Sequence, residues 1–159
     1  MYDRLIVALD GSATAERVLE HVRAIATAFD STVTLLRVTV SAETLLAETA
    51  GPENVGDVTP IIDPTPIVKA DRESAAEYLD GIAAQLRQAG LSNVNVEEPE
   101  GPPAQAIVTR ASELGASLIL MTTHGRSGIN RMVFGSVADS VLRHASCPVL
   151  LVRVTEHEG

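Results

Sequence analysis

One doubly wound, five-stranded parallel sheet with helices on both faces is the fold this sequence predicts, as a single α/β domain over residues 1–159. Three observations predict it. Short continuous runs of Val, Leu and Ile alternate with stretches of helical periodicity, the pattern of βαβ units whose strands are buried on both faces. The core has to be aliphatic, because hydrophobic residues make up 45% of the chain but aromatics only 3%, with no Trp. The length fits one domain, and neither a second core nor a solenoid repeat is visible.

The elements follow in order. Arg4–Leu9 (RLIVAL) is a buried strand closed by the turn residues Asp10-Gly11-Ser12. Ser12 can cap a following helix, although Ala15 stands where a full capping box would place Glu. Val18, Val22, Ile25, Ala26 and Phe29 share one helical face, and Thr32–Val38 (TVTLLRV) is the second strand. Residues 41–70 form a long excursion with Pro52, Pro60, Pro64 and Pro66 and no sustained period, interrupted by a short helix at Ala42–Thr49. Ala75, Leu79, Ile82 and Leu86 mark the next helix, stopped by Gly90, and Val94–Glu98 is a weaker third strand. Pro102-Pro103 opens a helix with Ile107, Val108, Ala111 and Leu114 inward. Leu118–Met121 is the fourth strand, Ser136–His144 the last helix and Val149–Val154 the fifth strand. Right-handed crossovers leave Rossmann-like or flavodoxin-like strand orders as the leading arrangements.

Charge excludes some partners. The formal net charge is -9 and Lys69 is the only lysine, so no basic stripe for nucleic acid or for an anionic membrane surface is present. No apolar run reaches membrane-spanning length and the first ten residues lack a signal pattern, which predicts a cytoplasmic protein. The single cysteine, Cys147, beside Pro148, is expected to be a small buried hydrophobe.

Ligands of such sheets bind beyond the carboxyl ends of the strands. Three segments converge there: Ala8-Leu9-Asp10, Val38, and the stretch from Met121 to Ser136. The last holds Gly125 and Gly128, which let backbone N–H groups approach an anion, and Ser136 opens a helix with Asp139 in capping-box spacing. A helix N-terminus favours phosphate, with Thr123 and Ser136 hydroxyls as extra donors and Arg126 as the nearest permanent cation. The same residues also fit ordinary turn glycines and an ordinary cap. Neither Gly-Lys-Ser/Thr nor an early G-x-G-x-x-G occurs.

At this segment the sequence resembles the universal stress protein family. Leu5–Ser12 (LIVALDGS), Leu35–Val38, Met121–Arg126 with Phe134–Val137, and Cys147–Arg153 (CPVLLVR) match the family's pieces in order. ATP-binding members carry G-x2-G-x9-G-[ST]; Gly125, Gly135 and Ser136 fill the later positions, and Thr122 replaces the first glycine. The resemblance implies an ATP, ADP or AMP site. Asp10 would lie near the ribose, and backbone of Val38 and of Ala8-Leu9 would flank the adenine. Met121, Thr122 and His124 would run past the sugar, and Gly125, Arg126, Gly135, Ser136 and Val137 would hold the phosphates. A Mg2+ or Mn2+ ion could ride on those phosphates without a dedicated protein site. It also implies a homodimer through the last strand, residues 149–154, and a stress-response or regulatory role with little or no turnover. A slow ATPase or nucleotidyl-transfer enzyme is the alternative, although His-x-Gly-His and Ser-Gly-Gly-x-Asp-Ser loops are absent. A nucleotide-free member acting through unidentified protein partners is the third, and Thr122 keeps it open.

Overall fold

The computed structural model describes residues 1–49, 63–125 and 135–155. Its strands are β1 (Arg4–Ala8), β2 (Thr32–Leu36), β3 (Val94–Glu97), β4 (Leu118–Gly125) and β5 (Val149–Thr155). They form one sheet in the order β3-β2-β1-β4-β5, with every neighbouring pair parallel. The helices are α1 (Leu19–Phe29), α2 (Ala42–Thr49), α3 (Thr65–Gln88), α4 (Pro103–Glu113) and α5 (Ser136–His144), and a 3-10 turn at Ala15–Val18 precedes α1.

The alternation of side chains along each strand divides the core in two. Leu5, Val7, Val33, Leu35, Leu118 and Leu120 pack with Val22 of α1 and Leu79 and Leu86 of α3. Ile6, Leu36, Ile119 and Met121 face the other way, onto Ile107 and Ala111 of α4 and Ala138 and Val141 of α5. Burial of each Leu, Ile or Val contributes about 1.5–3 kcal/mol relative to exposure, which is why runs without polar alternation become the central strands. The doubly wound expectation is met, and the strand order is the Rossmann-like one of the two considered.

Three helices end the same way. The N–H of Ser31 reaches back to Ala26 O (3.1 Å), that of Leu91 to Leu86 O (3.1 Å) and that of Ala116 to Ala111 O (2.8 Å). Each closure requires a left-handed residue, supplied by Asp30 (φ 50°), Gly90 and Gly115.

Several boundaries differ from the sequence reading. β2 stops at Leu36, although the chain beyond it stays bonded to the β3 side: Arg37 N–H donates to Glu97 O (3.2 Å) and Thr39 N–H to Pro99 O (2.8 Å). α3 begins at Thr65, inside the stretch expected as an excursion, with Pro64 at its N-cap and Pro66 in its first turn, where a missing N–H does no harm. Asp63 Oδ1 accepts the Thr65 N–H (3.0 Å), and the Thr65 side-chain hydrogen bond, followed by this backbone one, holds that carboxyl below its ordinary range. Residues 50–62 of the expected excursion lie outside the described residues. β4 runs to Gly125, four residues beyond Met121. Thr122 and Thr123 favour extended backbone although they break the apolar run, and β5 pairs with them throughout.

Candidate functional site

In a sheet ordered β3-β2-β1-β4-β5 the chain winds one way from β1 to β3 and the other way from β4 to β5. The switch point therefore lies between β1 and β4. The two strands are unequal there. Their ladder ends at Val7↔Leu120, whereas the β4–β5 ladder continues to Gly125↔Thr155. β4 thus overhangs β1 by the residues Thr122 to Gly125, and the backbone edge of that overhang looks into the space above Leu9 and Asp10.

The floor of this space is the end of β1. Ala8 is half-buried and Leu9 buried. The Leu9 N–H donates to Leu36 O (2.9 Å), so it serves the sheet and is not a donor for a ligand. Asp10 is exposed, and its Oδ1 accepts from both the Ser12 N–H (2.9 Å) and the Ser12 hydroxyl (2.6 Å). Ser12 Oγ in turn accepts the Ala15 N–H (3.1 Å) at the start of the 3-10 turn, whose N-cap is Thr14 rather than the Ser12 that the sequence suggested. Along the neighbouring segment Arg37 and Thr39 bond outward to the β3 side, so backbone alternation turns the peptide groups of Val38 toward β1.

On the β4 side Met121 and Thr123 are buried and Thr122 is half-buried. Gly135 is the N-cap of α5, with φ -53° and ψ 152°. The expected capping box does not form. Ser136 lies one residue inside the helix, and Asp139 pairs with Arg143 at 3.0 Å. Among the described residues no side chain caps the first-turn N–H groups of α5. Ser136 is exposed, Val137 packs on the α4–α5 side of the core, and a Cβ at Gly135 would meet no described atom within 4 Å. Arg126, with residues 126–134, and the His124 side chain lie outside the described residues.

One charged residue at this edge escaped the sequence reading. Arg37 is half-buried, with Cζ 5.5 Å from the centroid of the Tyr78 ring, and its guanidinium covers the backbone of Gly11. The signal for it was an Arg inside an otherwise apolar strand. The Tyr78 hydroxyl donates to Glu16 Oε1 (3.1 Å); burial, then the Glu16 carboxylate, push this phenol well above the ordinary tyrosine range. Cys147 is half-buried, and burial raises its thiol. Farther out, Ser41, Glu43, Thr44, Glu48, Glu100 and Pro102 line an open cleft of about 620 Å3 at the β3 side of the same edge. Among the described residues no three His, Cys, Asp or Glu side chains gather as metal ligands.

Comparison with known proteins agrees with the topology, and one match decides the family: the model of the universal stress protein family matches residues 1–153. The chain belongs to the universal stress protein family. A putative universal stress protein of Staphylococcus haemolyticus is 30% identical over 156 residues, 98% of this chain and 87% of that one. Among solved structures, a hypothetical protein whose biochemical function was assigned from its structure overlays with a TM-score of 0.76. It shares 27% identity, over 98% of this chain and 99% of its own. Two more distant members of the fold were solved with nucleotides. One is a universal stress protein in complex with cAMP (TM-score 0.67, 21% identity, 97% and 98% covered). The other is the Archaeoglobus fulgidus universal stress protein in complex with dAMP (TM-score 0.60, 24% identity, 94% and 97% covered). Among the described residues no helix is long and apolar enough to cross a membrane.

Proposed function

We propose that this chain binds an adenine nucleotide, ATP or its di- and monophosphate, in the space where β4 overhangs β1, and acts as a regulatory module with little or no turnover. The observation that carries this is the overhang itself. It creates a backbone-lined ledge beyond the end of β1, at the switch point of the sheet, on the side where α5 begins at Gly135 with no capping side chain among the described residues. A ledge of peptide groups can hydrogen-bond a nucleoside, and an uncapped helix N-terminus favours phosphate without demanding net positive charge. Backbone of Ala8 and Val38 lies on the adenine side, with Asp10 at the ribose. Met121, Thr122 and His124 run along the sugar, and Gly125, Arg126, Gly135, Ser136 and Val137 hold the phosphates. A Mg2+ or Mn2+ ion would be held through those phosphates. The cAMP and dAMP complexes of relatives are consistent with an adenine ligand.

β5 is an edge strand of seven residues, VLLVRVT, whose free side invites a second copy. A two-fold homodimer through residues 149–154, in the cytoplasm, completes the proposal.

The test is direct. The purified protein is denatured and any released nucleotide identified, after which ATP is titrated into the emptied, refolded protein by calorimetry. Released adenine nucleotide, or saturable ATP binding, is expected. No release and no binding at millimolar ATP would refute the site. Sedimentation that stays monomeric at every concentration would refute the dimer.

A further inference from the structure

Arg37 is the one charged side chain on β2 or its immediate extension that turns back over the loop following β1. A Cβ built on Gly11 would lie 2.9 Å from Arg37 Nη1, 3.1 Å from Cζ and 3.4 Å from Nη2. All three guanidinium atoms are thus near one point above the Gly11 α-carbon. The guanidinium also lies over Tyr78, whose ring centroid is 5.5 Å from Cζ. Tyr78 is itself fixed through its hydroxyl to Glu16, in the 3-10 turn that the Asp10–Ser12 loop leads into. The loop between β1 and that turn is therefore held from above by a planar cation and from behind by the helix start. Gly11 is left-handed, with φ +85°, and a glycine there lets the fork come this close.

Inferring further, and resting on the nucleotide site proposed above, we assign Arg37 as a positioning residue: in contact with both Gly11 and Tyr78, it fixes the turn that aims the Asp10 carboxylate at the ribose hydroxyls. Asp10 already spends Oδ1 on Ser12, in two hydrogen bonds. Those bonds tie the carboxylate to the Asp10–Ser12 turn, and the backbone of that turn is what Arg37 covers. An Arg suits the place better than a Lys because a planar group can lie flat against both a peptide and a ring.

The experiment compares ATP with 2′,3′-dideoxy-ATP, which lacks both hydroxyls, in wild type, Arg37→Ala and Asp10→Ala. A hydrogen bond to a charged acceptor leads one to expect wild type to favour ATP by about tenfold or more. Arg37→Ala is expected to bring that ratio close to the Asp10→Ala value while leaving 2′,3′-dideoxy-ATP binding nearly unchanged. A purely structural role would weaken both ligands alike and keep the ratio. A preserved ratio in Arg37→Ala overturns the assignment and leaves the nucleotide site standing. Wild type that binds both ligands equally also overturns it, whereas wild type that binds neither removes the nucleotide site itself. Should Arg37→Ala fail to fold, Arg37→Met keeps the length of the side chain without the fork and is read in the same way.

Discussion

Gly135→Ala separates binding from folding at the proposed phosphate end. The native backbone there, φ -53° and ψ 152°, is open to any residue, and the new Cβ would meet no described atom within 4 Å. Two small effects on stability oppose each other. Alanine is a poorer N-cap than glycine, by about 0.5–1 kcal/mol, while its narrower unfolded ensemble returns about 0.4–1 kcal/mol. The midpoint of thermal unfolding should therefore move by no more than about 2–4 °C for a chain of this length. Binding should respond far more. If phosphate oxygens approach the first N–H groups of α5, a methyl at Gly135 holds them away, and each hydrogen bond to a charged group is worth about 1.5–3 kcal/mol. Loss of one weakens ATP by about tenfold to a hundredfold. Calorimetry with ATP and AMP measures this directly. Thermal unfolding with and without ATP gives a second readout, since a ligand at a hundred times its Kd adds about 2.7 kcal/mol. A normally folded Gly135→Ala protein with unchanged ATP affinity would show that the phosphates do not rest on α5.

Other outcomes follow from single residues. Asp30 ends α1 with φ 50° and ψ 48°, so Asp30→Gly should raise the unfolding midpoint by about 1–4 °C, set by the left-handed strain it removes; a lower midpoint would refute this. Tyr78 has a folded pKa raised above its unfolded value near 10. Its contribution is intact below about pH 10 and declines above it, where the unfolded chain loses this proton more readily. Thermal unfolding of wild type should thus fall more steeply above pH 10 than that of Tyr78→Phe, and parallel profiles would contradict the assignment. Cys147, with its thiol raised by burial, should react with a disulfide reagent at pH 8 more slowly than after unfolding. Equal rates would place it in solvent.

How much of this was legible in the sequence depended on what each residue signals by itself. The helices Ala42–Thr49 and Ser136–His144 have the predicted bounds, and the apolar cores of the four strands β1, β2, β4 and β5 were found, because burial on both faces leaves an unbroken aliphatic run. The ends were less visible. Thr122 to Gly125 read as loop because a polar run hides a strand whose partner, β5, lies far along the chain in the register Thr122↔Val152 to Gly125↔Thr155. Asp139 mimicked a capping box, but its carboxylate turned forward to Arg143, an i,i+4 pairing that spacing alone does not distinguish from a cap. The candidate residues Ala8 to Asp10, Val38 and Met121 to Gly125 lie along one edge of the sheet, yet the commitment of the Leu9 N–H to Leu36 O followed only from register.

The unequal ladders explain how this edge can be both rigid and open. A ligand ledge needs backbone that is straight and fixed while one of its edges remains available. β4 achieves this by pairing with β5 over seven residues but with β1 over three, so β5 keeps Thr122 to Gly125 extended beyond the point where β1 turns away. β1 can turn away because Gly11 accepts a left-handed conformation, and Arg37 and Tyr78 then hold the departing loop in one place. β5 would thus carry two loads: one side stiffens the ledge and the other is the edge proposed to meet a second copy. Pairing of that free edge in a dimer would stiffen β5, and through it the ledge. Nucleotide affinity should then rise with protein concentration across the monomer–dimer range, and dimerisation should tighten with nucleotide by the same factor, because coupling between two binding equilibria is reciprocal. Titrations of ATP at protein concentrations below and above the dimer constant measure that factor, and identical affinities in the two regimes would show that the ledge is already rigid in the monomer.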